Sequence, residues 1–595
     1  MRLIKRTTTL RMRRVFRRRK KQVEEIGSIA DQNIDKHIFR RLLRLANVRR
    51  FVIGWVLIVG LMMMVVILQT RTMESHYKQL KPTAGGIYTE GMVGSFTDVN
   101  PIYATNTVDA SVAKLVFAGL LKYDSKGGLV NDLAEKLEVN EGTQTYTVHL
   151  KPNLTWHDGK PLTAKDVVFT YRLIQNPDAR SFLEGSWRGI KVNAIDNSTV
   201  SFTLPNKLSA FPYSLTTGIL PEHILKDVPA EQLRSNKFNT QNPIGSGPFK
   251  FDKVQVSGST DKREERVGLS SFDEYNAGKP KINKFIIKTY KSEDKLVNAY
   301  TEKQVDAMAN VASLPDQLEN DSTTQEFSST TLSQVAVFFR TTQPPLNDVA
   351  VRNALVAGAS RAELISGIHY PVVPSDEPLL KTQIGYNKAY AQVAAGDVAK
   401  ASQLLDSAGW VKNPNTGIRE KNGTKLTFRL VSQSSSEYSA VARILQKQWQ
   451  DIGVDVQISL QPEQELQPTI AQHSYDALLY AIAIGRDPDV FAYWHSSQAD
   501  VRSQTRLNFS EYQSTSANEG LEGGRTRYDP NVRSIKYKSF LEAWQKDSPA
   551  LVLYQPRYLY VARKPFSGYN VAQLNSVADR FVNVENWTIK ESYQL

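Results

Sequence analysis

Residues 426–460 read LTFRLVSQSSSEYSAVARILQKQWQDIGVDVQISL, and three periodicities follow one another within that stretch. Leu426, Phe428 and Leu430 alternate, as on a strand with one buried face. Val441, Ile444, Leu445, Trp449 and Ile452 then recur at spacings of three and four, the apolar stripe of an amphipathic helix. Gly453 stands where a helix closes in the left-handed conformation. Val454, Val456, Ile458 and Leu460 alternate again. Strand, helix and strand within about 35 residues predict parallel neighbours joined by a right-handed crossover. The fold class is therefore α/β.

Working outward, residues 398–408 predict a further helix that stops at Gly409, and Ser360-Arg-Ala-Glu363 has the pattern of a capping box. Upstream, Tyr146, Val148 and Leu150 share one face of a strand. The run Trp156-His-Asp-Gly-Lys-Pro161 is a turn by composition. Thr163-Ala-Lys-Asp166 resembles a capping box with aspartate at its third position, ahead of the apolar Val167, Val168, Tyr171 and Leu173. Pro177 ends that helical region. The chain shows no repeat of fixed period and no low-complexity segment, and its α/β part divides into at least two lobes.

The chain has 595 residues, enough for more than one folding unit. There is no cysteine, which excludes disulfides, thiolate metal sites, a cysteine nucleophile and a lipidated cysteine anchor. The net charge of +14 is concentrated at the start: residues 1–50 hold 13 Arg, 4 Lys and 4 acidic residues, so that segment carries +13 and the other 545 residues carry +1. A nucleic-acid-binding domain needs its basic patch on the folded part, which here is nearly neutral.

Residues 51–68 contain no charge. At ~1.5 Å per residue such a helix spans about 27 Å, the thickness of a hydrocarbon core. Residues 51–69 are therefore expected to form a transmembrane anchor. Arg49, Arg50 and the run from Arg11 to Lys21 place the 1–50 tail on the cytoplasmic side. A cleaved signal peptide fits less well: the apolar run is too long, and Gln69-Thr-Arg-Thr-Met73 is not a small-x-small cleavage site. Residues 34–50 read as a basic amphipathic helix on the inner leaflet, with a nucleic-acid-binding arm as the alternative. Residues 70–83 read as a polar linker. No later apolar run reaches 18 residues, so everything beyond lies outside the membrane.

No strong catalytic signature is present: no GxxxxGK[ST], no HExxH and no GxSxG. Gly245-Ser-Gly-Pro-Phe249 reads as a tight turn rather than a phosphate cradle. His157 and Asp158 read as a turn with a hydrogen-bonded side chain, or as a metal or acid–base site. Arg486-Asp487-Pro488-Asp489 reads as a turn, or as a carboxylate pair for a hard cation. The aromatics Tyr480, Phe491, Tyr493 and Trp494 near it line a pocket or pack in a core.

Nine of these segments, in order, resemble family 5 of the extracytoplasmic solute-binding proteins of ABC importers, the peptide, oligopeptide and nickel-binding group. They are Asp98-Val-Asn-Pro101; Val116-Phe-Ala-Gly-Leu-Leu-Lys-Tyr-Asp124; Asp132-Leu-Ala-Glu135; Tyr146-Thr-Val-His-Leu-Lys151 with Trp156 to Phe169; Ile244 to Phe251; Val351-Arg-Asn-Ala-Leu355; Gly417 to Gly423; Asp451-Ile-Gly-Val454; and Tyr475-Asp-Ala477 with Asp487-Pro-Asp489. The resemblance implies a two-lobed periplasmic-binding-protein-like fold with an extra subdomain in lobe I. Lobe I would comprise 84–325 and 548–595, its inserted subdomain about 120–210, and lobe II 326–547. It implies capture of a small solute, a peptide or peptide-like molecule, between the lobes and delivery to an ABC permease with its ATPases. No cofactor, metal or catalytic residue is implied.

The resemblance places Thr105 and Phe182 at positions that approach ligand; Tyr480, Arg486, Asp487, Tyr493 and Trp494, in or near the Asp-Pro-Asp element, complete the candidate site, where Arg486 would favour an anionic or carbohydrate-like solute. Peptide binders of this group carry an aspartate three residues before the Asp-Pro-Asp element, where it pairs with the ligand's α-amino group. Here Ile484 stands there and 478–485 hold no acid. An ammonium buried without a partner is costly, so free peptide N-termini are not expected to bind in the usual way. The competing reading is a transmembrane ligand sensor built on the same domain; an extracytoplasmic hydrolase lacks a nucleophile–base signature.

Overall fold

The computed structural model describes residues 49–77, 79–258, 263–368, 370–503 and 506–594. The 1–50 tail, with the basic helix expected over 34–50, lies outside them except for Arg49 and Arg50. The chain forms two compact units, one of residues 1–81 with 591–595 and one of residues 82–590.

In the first unit a single helix, α1 (Arg49–Tyr77), contains the apolar span Phe51–Thr70, with a mean hydropathy of 2.9. That span is long and apolar enough to cross a membrane, and its large side chains are exposed, as on a lipid-facing helix. The expected linker over 70–83 is corrected. The helix runs on to Tyr77, because 70–77 hold no glycine or proline to stop it and Thr70 Oγ1 bonds back to the carbonyls of Val66 and Ile67 at 2.8 and 3.0 Å. The strand β1 (Gln79–Thr83) follows and pairs with the C-terminal strand Lys590–Gln594.

The second unit is built on one 13-stranded sheet among the described residues. Its main strands are β2 (Ile87–Val93), β3 (Phe249–Ser257), β4 (Glu264–Ser271), β5 (Lys284–Tyr290), β6 (Ala307–Val311), β7 (Thr324–Thr331), β8 (Ser333–Phe339), β9 (Thr427–Gln433), β10 (Asp455–Gln461), β11 (Ala477–Ala483) and β12 (Ala550–Arg563). Their spatial order is β10-β9-β11-β8-β12-β6-β2-β5-β4-β3, with β7 also on β12. A four-stranded antiparallel sheet, Ala134–Asn140, Thr145–Leu150, Thr199–Thr203 and Lys191–Ala194, forms separately. The helix Ala164–Gln175 packs against it, its start fixed by the Thr163/Asp166 capping box.

The predicted crossover is present. β9 and β10 are parallel, with Phe428 opposite Val456 and Leu430 opposite Ile458. The helix α2 (Ser436–Asp451) joins them, and Ser435 caps it by accepting from the Tyr438 N–H. Val441, Leu445 and Trp449 are buried on its inner face, and the Trp449 indole N–H donates to the Leu355 carbonyl at 2.9 Å. Gly453 has φ +85°, and a Cβ there would meet Arg419 Cγ at 2.9 Å, so conformation and close packing both require glycine. The Ser360 capping box forms only by half. Ser360 Oγ accepts from the Glu363 N–H, but the Ser360 N–H goes to Gln448 Oε1, whose amide group also donates to the Glu363 carboxylate. A neighbouring helix has taken the reciprocal half of the box.

β12 divides the unit into two lobes. Its Ala550–Tyr554 end pairs with β8 and its Leu559–Ala562 end pairs with β6 and β7. Pro556, between them, has no N–H to give to a ladder. Thr331, where β7 ends, spans the same level: its Oγ1 donates to the Pro556 carbonyl at 2.9 Å, and Gln555 Nε2 donates to the Thr331 carbonyl at 3.1 Å. The two strands that carry the chain from one half of the sheet to the other thus change partners side by side. Separate cores flank this level, one around Tyr88, Trp156, Tyr171 and Phe285, another around Val337, Leu355 and Trp449.

Candidate functional site

Three adjoining hollows of about 490, 400 and 740 Å³ form a cleft on the second unit. They meet at Tyr123, Asn575, Asp489 and Phe182, each of which lines two of them. One wall comes from the early part of the chain, with Thr105, Tyr123, Phe182 and Tyr213. The other is the segment after β11, Ala483 to Asp489, with Phe491.

Local structure explains how each group arrives there. Asn106 caps the helix Thr107–Val116 by accepting from the N–H groups of Val108 and Asp109, and Thr105 lies just before that cap, facing the cleft. Arg180 takes a left-handed turn at φ 52°, and Ser181 Oγ donates to the Ile102 carbonyl at 3.1 Å. These fix Phe182, which remains 55% exposed. Beyond β11 the N–H groups of Ile484 and Gly485 both donate to the Leu332 carbonyl at 3.0 Å. Gly485 turns at φ +76°, and Arg486 then reaches Gln573 Oε1 at 2.9 Å.

The Asp-Pro-Asp element is not a cation site. Arg533 holds Asp487 with two hydrogen bonds, at 2.8 and 2.6 Å. Arg525 pairs with Asp489 at 3.2 Å and lies 4.1 Å over the Phe491 ring. Burial pushes the Asp489 carboxyl upward, opposed by Arg525. Each carboxylate thus has its own cation, and among the described residues no cluster of His, Asp and Glu is arranged to hold a metal.

The structure separates the remaining expected residues. Arg486 and Asp487 border the middle hollow. Trp494 is fully buried between Phe338 and Trp544, at ring separations of 5.6 and 5.5 Å, and belongs to the core. Tyr480 packs edge-on against Phe509, and the Tyr493 hydroxyl donates to the Ala483 carbonyl at 2.8 Å. Neither lines the three hollows; the Tyr493 bond ties that residue to the end of β11, where the cleft-bordering segment begins. Tyr123, Tyr213 and Asn575 line the cleft but did not stand out in the sequence. Tyr123 lies in a quoted family segment; a single tyrosine at 213 and a single asparagine at 575 carry no periodic or compositional mark.

His157 is structural. The Gly245 N–H donates to its Nδ1 at 3.2 Å, which leaves the proton on Nε2 for the Gly247 carbonyl at 3.0 Å. Burial lowers its pKa to about 4. It clamps the Gly245–Gly247 turn, where a Cβ on Gly245 would fall 1.9 Å from the Val116 carbonyl oxygen. Asp158 turns outward to His223 at 2.8 Å.

A sheet divided at one crossover level, with a cleft walled from both sides, defines a two-lobed solute-binding protein. Residues 128–503 match the family described as bacterial extracellular solute-binding proteins, family 5 Middle. The chain belongs to that family. It is 26% identical over 525 residues to the oligopeptide-binding protein AppA of Bacillus subtilis, covering 85% of this chain and 92% of that protein. It is 25% identical to the dipeptide-binding protein of Escherichia coli K12, over 77% of this chain and 86% of that one. The AppA structure in complex with a nonapeptide superposes with a TM-score of 0.69, covering 86% of this chain and 100% of that chain at 26% identity. NikZ of Campylobacter jejuni, in complex with Ni(L-His), superposes with a TM-score of 0.70 at 26% identity, covering 84% and 99%.

Proposed function

We propose that this chain is a membrane-anchored, non-enzymatic solute-binding protein that captures a peptide or peptide-like molecule in the cleft and delivers it to an ABC permease. The observation that carries this reading is the cleft itself, walled from both lobes and bordered by a half-exposed aromatic, Phe182. Closure of two lobes about paired strands buries a solute and shifts the population toward a state a permease can distinguish. Relatives that bind oligopeptides and dipeptides support the substrate class.

In this reading lobe I is about 84–331 with 556–590 and lobe II about 333–555, which moves the expected bounds at 325/326 and 547/548 to the level where β7 and β12 change partners. The Phe51–Thr70 span holds the N-terminus in the cytoplasm and both lobes outside. Thr105, Phe182 and Arg486 contact solute, and the Asp487–Arg533 pair holds the Arg486 segment in place.

Calorimetry on the full chain in detergent, titrated with mixed peptides of two to nine residues, tests the capture. A saturable heat without product formation is expected; its absence across peptides, sugars and metal–histidine complexes would sink it. The cysteine-free chain also permits a topology test. A cysteine at Gly142 should react with a membrane-impermeant maleimide in intact cells, and one at Gly27 should not.

A further inference from the structure

We infer that the cleft selects a solute that presents a carboxylate or similar anionic group to Arg486 and has no free ammonium to place beside Ile484. This rests on the capture proposed above and narrows its substrate class.

The inference follows from an account of charge. Four carboxylates line the three hollows: Asp487, Asp489, Asp500 and Asp579. Each faces a cation of the protein. Arg533 holds Asp487, Arg525 lies 3.2 Å from Asp489, Arg502 lies 2.5 Å from Asp500 and Lys114 lies 3.7 Å from Asp579. Asp579 also accepts from the Ser576 N–H at 2.8 Å. At Asp487, Asp489 and Asp579 a solute ammonium would have to compete with a buried or half-buried cation already in place. Asp500 and Arg502 form an exposed pair that solvent screens, so Asp500 offers an ammonium little.

Arg486 is the remaining charge. Its hydrogen-bond partner among the described residues is the neutral Gln573 side chain, through Nη1 alone. A guanidinium offers five N–H donors in a fixed fork that matches a carboxylate with two parallel bonds. It lines the middle hollow together with Tyr213, Asn575 and Ile484, whose apolar and largely buried side chain offers an approaching charge nothing. The cleft thus carries one uncompensated positive charge, in a place where an apolar or aromatic solute body can pack alongside.

Two equimolar tetrapeptide pools of identical side-chain composition test this on the full chain in detergent. One pool is N-acetylated with free C-terminal carboxylates; the other has free amines and C-terminal amides. Species retained through gel filtration are identified by mass spectrometry. Retention from the acetylated acid pool is expected, weakened roughly 10- to 100-fold by Arg486→Gln and less by Arg486→Lys. The unliganded unfolding midpoints of both variants should match wild type, so that a loss reports recognition and not folding. Retention from the amidated amine pool alone, or unchanged binding by Arg486→Gln, overturns the inference while capture stands. Retention from neither pool overturns the inference, and capture itself then stands or falls with the calorimetric series above.

Discussion

Arg533 grips both carboxylate oxygens of Asp487, at 2.8 and 2.6 Å, and so ties the helix Pro530–Asp547 to the cleft-bordering segment that follows β11. Both side chains are almost fully buried. Breaking such a pair leaves one charge stranded in a medium that solvates it poorly. Arg533→Met should therefore destabilise the second unit by about 3–5 kcal/mol, measured by urea unfolding. The double change Asp487→Leu with Arg533→Met should recover most of the loss. A single-mutant cost below about 1 kcal/mol would show that the pair is solvated after all.

His157 titrates in the opposite sense to a paired histidine. Its folded pKa, about 4, lies below the ordinary 6.5, so it folds neutral. Its contribution is complete above pH 6.5 and is lost as pH falls toward 4, when the unfolded chain binds a proton that the folded chain refuses. That difference is worth about 3 kcal/mol. A His157→Gln variant should be less stable at pH 7, yet lose less stability than wild type between pH 6.5 and 4. Parallel pH profiles of the two would refute the assignment.

Asp98 should behave as the mirror image. Burial raises its pKa from 3.8 to about 7, with Asp109 adding to the rise. Its stabilisation is full below the unfolded value and disappears as pH climbs through 7, where the folded chain must carry a buried charge. Asp98→Asn keeps an oxygen for the Asn100 N–H and removes that charge. Thermal unfolding should show the variant ahead of wild type at pH 8, with the advantage shrinking by pH 4. A variant that is less stable at pH 8 would contradict this.

Phe182 is an exposed aromatic at the junction of two hollows. Burying the exposed half of this ring on solute capture is worth about 1–1.5 kcal/mol. Phe182→Ala should therefore weaken solute binding roughly five- to tenfold by titration, and leave the unliganded unfolding midpoint in place. Unchanged affinity would remove Phe182 from the binding surface.

Much of the fold was legible because its signals are local. The alternation at Leu426–Leu430 and Val454–Leu460 and the stripe on α2 each report one face of one element, and β9, α2 and β10 form where those patterns stand. Gly453 was legible for the same reason. The half-formed box at Ser360 was not: Gln448, which takes the place of the reciprocal bond, comes from another helix. The same holds for Trp494. An aromatic near a candidate site reads alike whether it faces solvent or, as here, Phe338 and Trp544.

By itself the sequence determined an apolar span able to cross a membrane, a charge excess confined to the tail before it, an α/β chain and its family, because uninterrupted hydropathy and short-range periodicity are properties of consecutive residues. Only the tertiary structure decided the character of the cleft. The carboxylates of Asp487 and Asp489 look like open ligands in the chain, but Arg533 and Arg525 reach them from later helices and cancel their charge. Long, flexible cations choose partners by three-dimensional proximity, so which charge is left over, here that of Arg486, depends on the packed fold.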